Sequence, residues 1–199
     1  MTHSMLPAAR RFIATTLVVL GLATGAAQAA ETIKGDATAG GTKAATCTAC
    51  HGLNGNSVNP DWPVIAGQNA AYARDQITRI RDGKRTAPLM QPMVANLTDQ
   101  DVADLAAFFA SQTPAGHEAD PSYWKAGQKL YRSGDAARGI PACTACHGPV
   151  GRGNPAAGYP ALQAQHSVYT VKQLDAYVAD TRYTKDAAGK AQAGPNAPI

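Results

Sequence analysis

The chain has 199 residues, 45% apolar and 16% charged, with a formal net charge of +4. That length allows one medium domain or two small ones, and the balance is that of a globular protein rather than a disordered chain. Aromatic residues make up only 6%, against 19 glycines and 13 prolines, which is thin filling for two side-chain cores.

The N-terminus reads as a secretory signal peptide. Arg10 and Arg11 precede the apolar run Phe12 to Ala23, and small residues follow as far as Ala27-Gln28-Ala29. The run is too short to span a bilayer comfortably, so cleavage near Ala29/Ala30 and a periplasmic destination are expected, with a weak hint of twin-arginine export in the paired arginines. Removing residues 1–30 takes away two arginines and no acids, leaving 16 of the 18 basic residues against 14 acidic ones. Neither that balance nor any basic block suits nucleic acid.

A short helix containing Gly40 and Gly41 leads into TCTACHG at 46–52. A loop rich in Gly, Asn and Pro runs from Gly52 to Gly67, and residues 70–82 then carry Tyr72, Ile77 and Ile80 at helical spacing. The loop PLMQPM holds Met90 and Met93. Residues 98–111 are the best-marked helix: Thr98 caps it, Asp101 stands three residues on, Leu97 and Val102 can staple its start, and Val102, Leu105, Ala106 and Phe109 line one face. It should pack on the helix before TCTACHG, where Gly40 and Gly41 permit close approach. The polar segment QTPAGHEADP reads as a linker.

The remainder repeats what precedes it. ACTACHG recurs at 142–148, 96 residues after the first copy, and WPVIAGQ (62–68) faces YPALQAQ (159–165). Tyr72 faces Tyr169, Gln76 and Ile77 face Gln173 and Leu174, and Arg85 faces Arg182. Residues 168–180 repeat the helical pattern with Val171, Leu174, Tyr177 and Val178. A unit of about 80 residues has been duplicated, giving a first domain over 31–112, a linker over 113–121 and a second domain over 122–199. No strand alternation stands out, so both units are expected to be all-α.

All four cysteines lie in the two CTACH copies. Framework disulfides need neither identical spacing nor a histidine after each pair, and a bond within Cys-x-x-Cys closes too small a loop to stabilise much. Zinc takes four ligands, whereas each motif offers three. A thioredoxin-like pair needs a βαβ setting that is missing here. Cys-x-x-Cys-His is the signature of c-type haem attachment. Two thiols three apart lie on one side of a helical turn, each able to add to a porphyrin vinyl group, and the next residue supplies a nitrogen to the iron. Cys47 and Cys50 would thus hold one haem with His51 as ligand, and Cys143 and Cys146 a second with His147. A flat apolar macrocycle would also fill a unit too small to build a core alone.

For the sixth ligand of the first iron, Met93 is preferred, since it follows Pro92 and lies nearer the capped helix; Met90 is the alternative. The carbonyls of Pro63 and Pro160 are candidates to accept the other ring N–H of each histidine. His117 reads as solvated linker and His166 as surface or interface.

These residues resemble the periplasmic dihaem cytochromes c₄, on the strength of CTACHGLNGNS, WPVIAGQ, PMVANLTDQDVADLAAFFASQ, PACTACHGPVGRGN, YPALQAQH and YTVKQL, over essentially all of residues 36–199. The resemblance implies two class I cytochrome c domains with haems facing across a pseudo-two-fold axis, His/Met ligation of both irons, and single-electron transfer towards a membrane cytochrome complex or terminal oxidase. It implies peripheral membrane association through such a partner. The pattern departs in one place. No methionine follows Met93, and Ala197-Pro198-Ile199 faces Ala87-Pro88-Leu89, where the methionine loop would begin. The second domain is therefore expected to lack its methionine loop and last helix, leaving iron 2 with no assigned sixth ligand and the sequence C-terminally truncated. The alternatives to a carrier are the cytochrome subunit of a larger dehydrogenase, or a dihaem peroxidase or thiosulfate-oxidising enzyme with an open second iron.

Overall fold

The computed structural model describes Met1, residues 33–116 and residues 119–193. The signal segment and His117 lie outside them. The described residues from 33 to 193 belong to one compact unit. Among the described residues, eight α-helices are arranged in two similar runs: α1 (Ala37–Lys43), α2 (Thr48–His51), α3 (Ala70–Arg81), α4 (Gln91–Val94) and α5 (Asp99–Ser111), then α6 (Trp124–Ser133), α7 (Thr144–His147) and α8 (Ser167–Val178). Among the described residues the only β pairings are isolated bridges, as the absence of alternation implies.

In the first half the expected packing is present. Thr98 and Asp101 form a capping box at the head of α5, two otherwise orphaned donors being satisfied reciprocally. Val102, Leu105, Ala106 and Phe109 are 0–3% exposed. Helix α5 crosses α1 at Gly40, where a Cβ would stand 2.0 Å from the Asp104 carbonyl oxygen; only hydrogen fits. The same crossing is tied by Lys43 Nζ, 2.6 Å from carboxylate oxygens of both Asp101 and Asp104, and by the Asp36 amide donating to Asp104 at 2.8 Å. Lys43, with smaller help from Asp36 and Gln100, holds the Asp104 carboxyl down at about 2. Ala44, Leu105 and Phe109 meet beneath, with Cys47 packed against them, so this crossing fixes the entrance to CTACH.

The second half is more open. On α8, Val171, Leu174 and Val178 are 55%, 59% and 90% exposed, although their spacing suggests a core face. On α6, Trp124 and Leu130 are 39% and 36% exposed. Where α3 and α1 both pack on α5, no helix follows α8 among the described residues, so nothing there covers the equivalent faces.

The halves join through matched residues. Gln68 binds both backbone groups of Ala161, and Gln165 both backbone groups of Val64. The Arg85 guanidinium donates to the Tyr169 hydroxyl and the Arg182 guanidinium to the Tyr72 hydroxyl, each at 3.0 Å. Thr86 N donates to Arg182 O and Thr184 N to Lys84 O. The two glutamine clasps and the two arginine–tyrosine bonds are mates in the repeat, so the interface carries the pseudo-two-fold relation that the resemblance implies. Arg182 is only 4% exposed, its guanidinium lying 4.9 Å and 5.6 Å from the Tyr177 and Tyr183 ring centroids; the rings offset part of the cost of burying the cation.

Candidate haem-binding sites

Each CTACH copy is a single helical turn closed by the histidine amide bonding the first cysteine's carbonyl, His51 to Cys47 and His147 to Cys143, both at 2.9 Å. Gly52 and Gly148 end the turns at φ +73° and +75°, a conformation that side chains other than glycine's resist. A Cβ on Gly52 would also lie 2.2 Å from the Asn56 carbonyl oxygen. No disulfide joins any of the four cysteines. Burial pushes the Cys47 thiol up, partly offset by a hydrogen bond with Thr46.

The histidine rings are fixed alike. His51 Nδ1 lies 2.9 Å from Pro63 O, and His147 Nδ1 lies 2.9 Å from Pro160 O. A carbonyl can only accept, so Nδ1 carries the proton in both and Nε2 is left with its lone pair, the tautomer an iron ligand needs. His51 is 5% exposed, and burial holds its pKa below the ordinary value, against the pull of the Pro63 bond. The ring is thereby kept neutral. His147 is half-buried, with Tyr159 packed edge-on at 5.8 Å.

Across from His51 Nε2, at 3.5 Å, stands the sulfur of Met90. Met93, the methionine that sequence position favours, is 54% exposed. The reason lies in the backbone of the loop. Met90 is the N-cap of α4, and the Val94 amide bonds its carbonyl at 3.2 Å. Met90 and Val94 are four apart and share the inward side, Val94 being 5% exposed. Met93 lies off that side. His166 stands at the interface, Nε2 2.9 Å from Ser57 O, and His117 is not among the described residues.

The donor set fits a covalent haem: two thiols on one turn, an imidazole with a fixed tautomer and, in the first half, a thioether facing its lone pair. Sequence reading missed Gln68 and Gln165; their matched positions after Ala66-Gly67 and Gln163-Ala164 were the available signal.

Comparison with known proteins agrees. The cytochrome c family model matches residues 37–113 and again 124–199. Cytochrome c4 of Pseudomonas aeruginosa is 48% identical over 172 residues, 86% of this chain and 83% of the relative. A thiosulfate dehydrogenase electron acceptor of Thiomonas intermedia is 37% identical over 142 residues, 68% of this chain and 64% of the relative. The crystal structure of reduced cytochrome c4 from Pseudomonas stutzeri superposes with a TM-score of 0.73 at 42% identity, covering 79% of this chain and 86% of that one. Two matched cytochrome c domains, two CxxCH turns and relatives of this similarity make the chain a member of the cytochrome c4 family, an electron-transfer protein with two c-type haems.

Proposed function

We propose that this protein carries single electrons between redox proteins of the periplasm, with Cys47, Cys50 and His51 holding one haem and Cys143, Cys146 and His147 the other. The observation that carries the reading is the pair of anchored imidazoles, each with Nδ1 bonded to a proline carbonyl at 2.9 Å. Met90, rather than Met93, is the sixth ligand of the first iron, because its sulfur is the one facing His51 Nε2. The haem supplies a reversible one-electron change at iron, and a thioether ligand favours the reduced state. Burial of His51 keeps the ring neutral and shields it from water, and Pro63 holds its plane. An export signal at the N-terminus supports delivery to the periplasm, and among the described residues no helix is long and apolar enough to cross a membrane.

Haem quantitation with a reduced-minus-oxidised spectrum of the purified protein tests this reading. It requires two covalent haems per chain and a methionine-ligated low-spin component that Met90→Leu abolishes and Met93→Leu leaves. Any other haem count defeats the carrier reading, and loss in the Met93 variant instead reverses the ligand assignment.

A second reading concerns the donor. The similarity to a thiosulfate dehydrogenase electron acceptor favours an enzyme of that class as electron source, with a terminal oxidase as the other end of the path. Reduction of the protein by a purified thiosulfate dehydrogenase with thiosulfate, at a rate first-order in enzyme, would support it; no reduction above the uncatalysed rate would remove it.

A further inference from the structure

The interface glutamines reach the histidines of the opposite half through a single peptide group. His51 Nδ1 donates to Pro63 O at 2.9 Å. The carbon bearing that oxygen is bonded to the Val64 nitrogen, whose N–H donates to Gln165 Oε1 at 2.9 Å. Gln165 Nε2 in turn donates to Val64 O at 2.8 Å. The mate is complete: His147 Nδ1 to Pro160 O at 2.9 Å, the Ala161 amide to Gln68 Oε1 at 2.8 Å, and Gln68 Nε2 to Ala161 O at 3.0 Å. Each amide oxygen is further fixed by the next residue's own N–H, Asn69 N to Gln68 at 2.9 Å and His166 N to Gln165 at 3.1 Å. Both glutamines are therefore pinned at the heads of α3 and α8. Gln68 is 9% exposed and Ala161 9%, so water competes little at that clasp.

A peptide group whose N–H is engaged has a more negative carbonyl oxygen, and hydrogen bonds in such a chain strengthen one another. A stronger acceptor on Nδ1–H makes the imidazole a more basic ligand and favours the oxidised iron. We infer that Gln165 tunes the haem of the first half and Gln68 the haem of the second, each as a positioning residue acting through the Pro63–Val64 or Pro160–Ala161 peptide. The two haems are thus set by each other's domain, and docking of the halves is part of what fixes their potentials. This rests on His51 and His147 being iron ligands, as proposed above.

Spectroelectrochemical titration of the holoprotein tests it. Gln165→Leu removes the acceptor from Val64 and should raise one of the two midpoint potentials; Gln68→Leu should raise the other. With cooperative strengthening of about 10–30% of one charge-assisted bond, the expected change is about twofold in the reduction equilibrium constant, or about 18 mV at about 59 mV per decade for one electron. Lys172→Ala loosens the same interface at its ion pair with Asp61 without touching either peptide, and should move neither potential. The inference falls if both glutamine variants move the same step, if neither moves any, or if Lys172→Ala does as much. One measurement needs no variant: in the reduced wild-type protein the Val64 and Ala161 amide protons should resonate downfield and exchange slowly. Fast exchange at both would also overturn it. Failure of the histidine-ligand reading would show separately, as loss of the two-haem low-spin spectrum in wild type.

Discussion

Replacing Gly40 by alanine tests the account of how the first CTACH turn is held. The added Cβ would stand 2.0 Å from the Asp104 carbonyl oxygen, 2.5 Å from its carbon and 2.8 Å from Phe108 Cβ. The first two are backbone atoms of a capped helix and cannot swing aside. Restoring ordinary contact needs α1 and α5 to part by about 1.4 Å, and a radial gap of about 0.5–1 Å already forfeits a quarter to a half of each dispersion contact. The same opening stretches the Lys43–Asp104 bond, now 2.6 Å. Overpacking of this kind costs about 1–3 kcal/mol, against which alanine recovers at most about 1 kcal/mol of helix propensity. A net loss of about 1–2 kcal/mol follows, while Gly41→Ala, whose Cβ meets only the Phe108 ring at 3.2 Å, should be close to neutral. Gly127→Ala on α6 meets nothing within 4 Å and should stabilise by up to about 1 kcal/mol. Denaturant unfolding of the holoprotein, followed in parallel by far-ultraviolet circular dichroism and haem absorbance, reads all three. Equal stability of the Gly40 and Gly41 variants, within about 0.5 kcal/mol, would refute the claim that this crossing is sterically closed.

Three further outcomes are expected. Met90→Leu should lower the potential of the first haem by on the order of a hundred millivolts, within the ~0.8 V range that axial ligands span, while Met93→Leu leaves it in place; potentiometry separates the two. Thr98→Ala should cost about 1 kcal/mol by removing the cap of α5, read as a shifted denaturant midpoint with an unchanged slope. The Asp104 carboxyl, held at about 2 in the folded protein by Lys43, lies below its unfolded value of about 3.9. Its contribution is therefore complete above about pH 4 and is lost as pH falls towards 2. Stability measured from pH 5 to pH 2 should fall less steeply in Asp104→Asn than in wild type, and parallel curves would contradict the pairing.

The sequence by itself determined whatever is written in short covalent spacing or in repetition. Cys47, Cys50 and His51 fall on one turn because a helix places them there, and Thr98 with Asp101 marks a helix start by local hydrogen bonding. The proline carbonyls at Pro63 and Pro160 were legible because a ligating histidine needs an acceptor and both copies offered one at similar spacing. Choosing between Met90 and Met93 was not a local question. Both stand in the same proline-rich loop, and only the backbone of α4, with Val94 turned inward, decides which sulfur faces His51. Periodicity gave α8 an apolar face but could not say whether anything covers it, since burial depends on a second element. The pairing of Gln68 and Gln165 with the opposite half lies furthest from the reach of the letters: a glutamine after a loop is ordinary until two domains dock. Tertiary contact decides these features because hydrogen bonds between residues about 100 positions apart have no local signature, only a partner that folding brings within 3 Å.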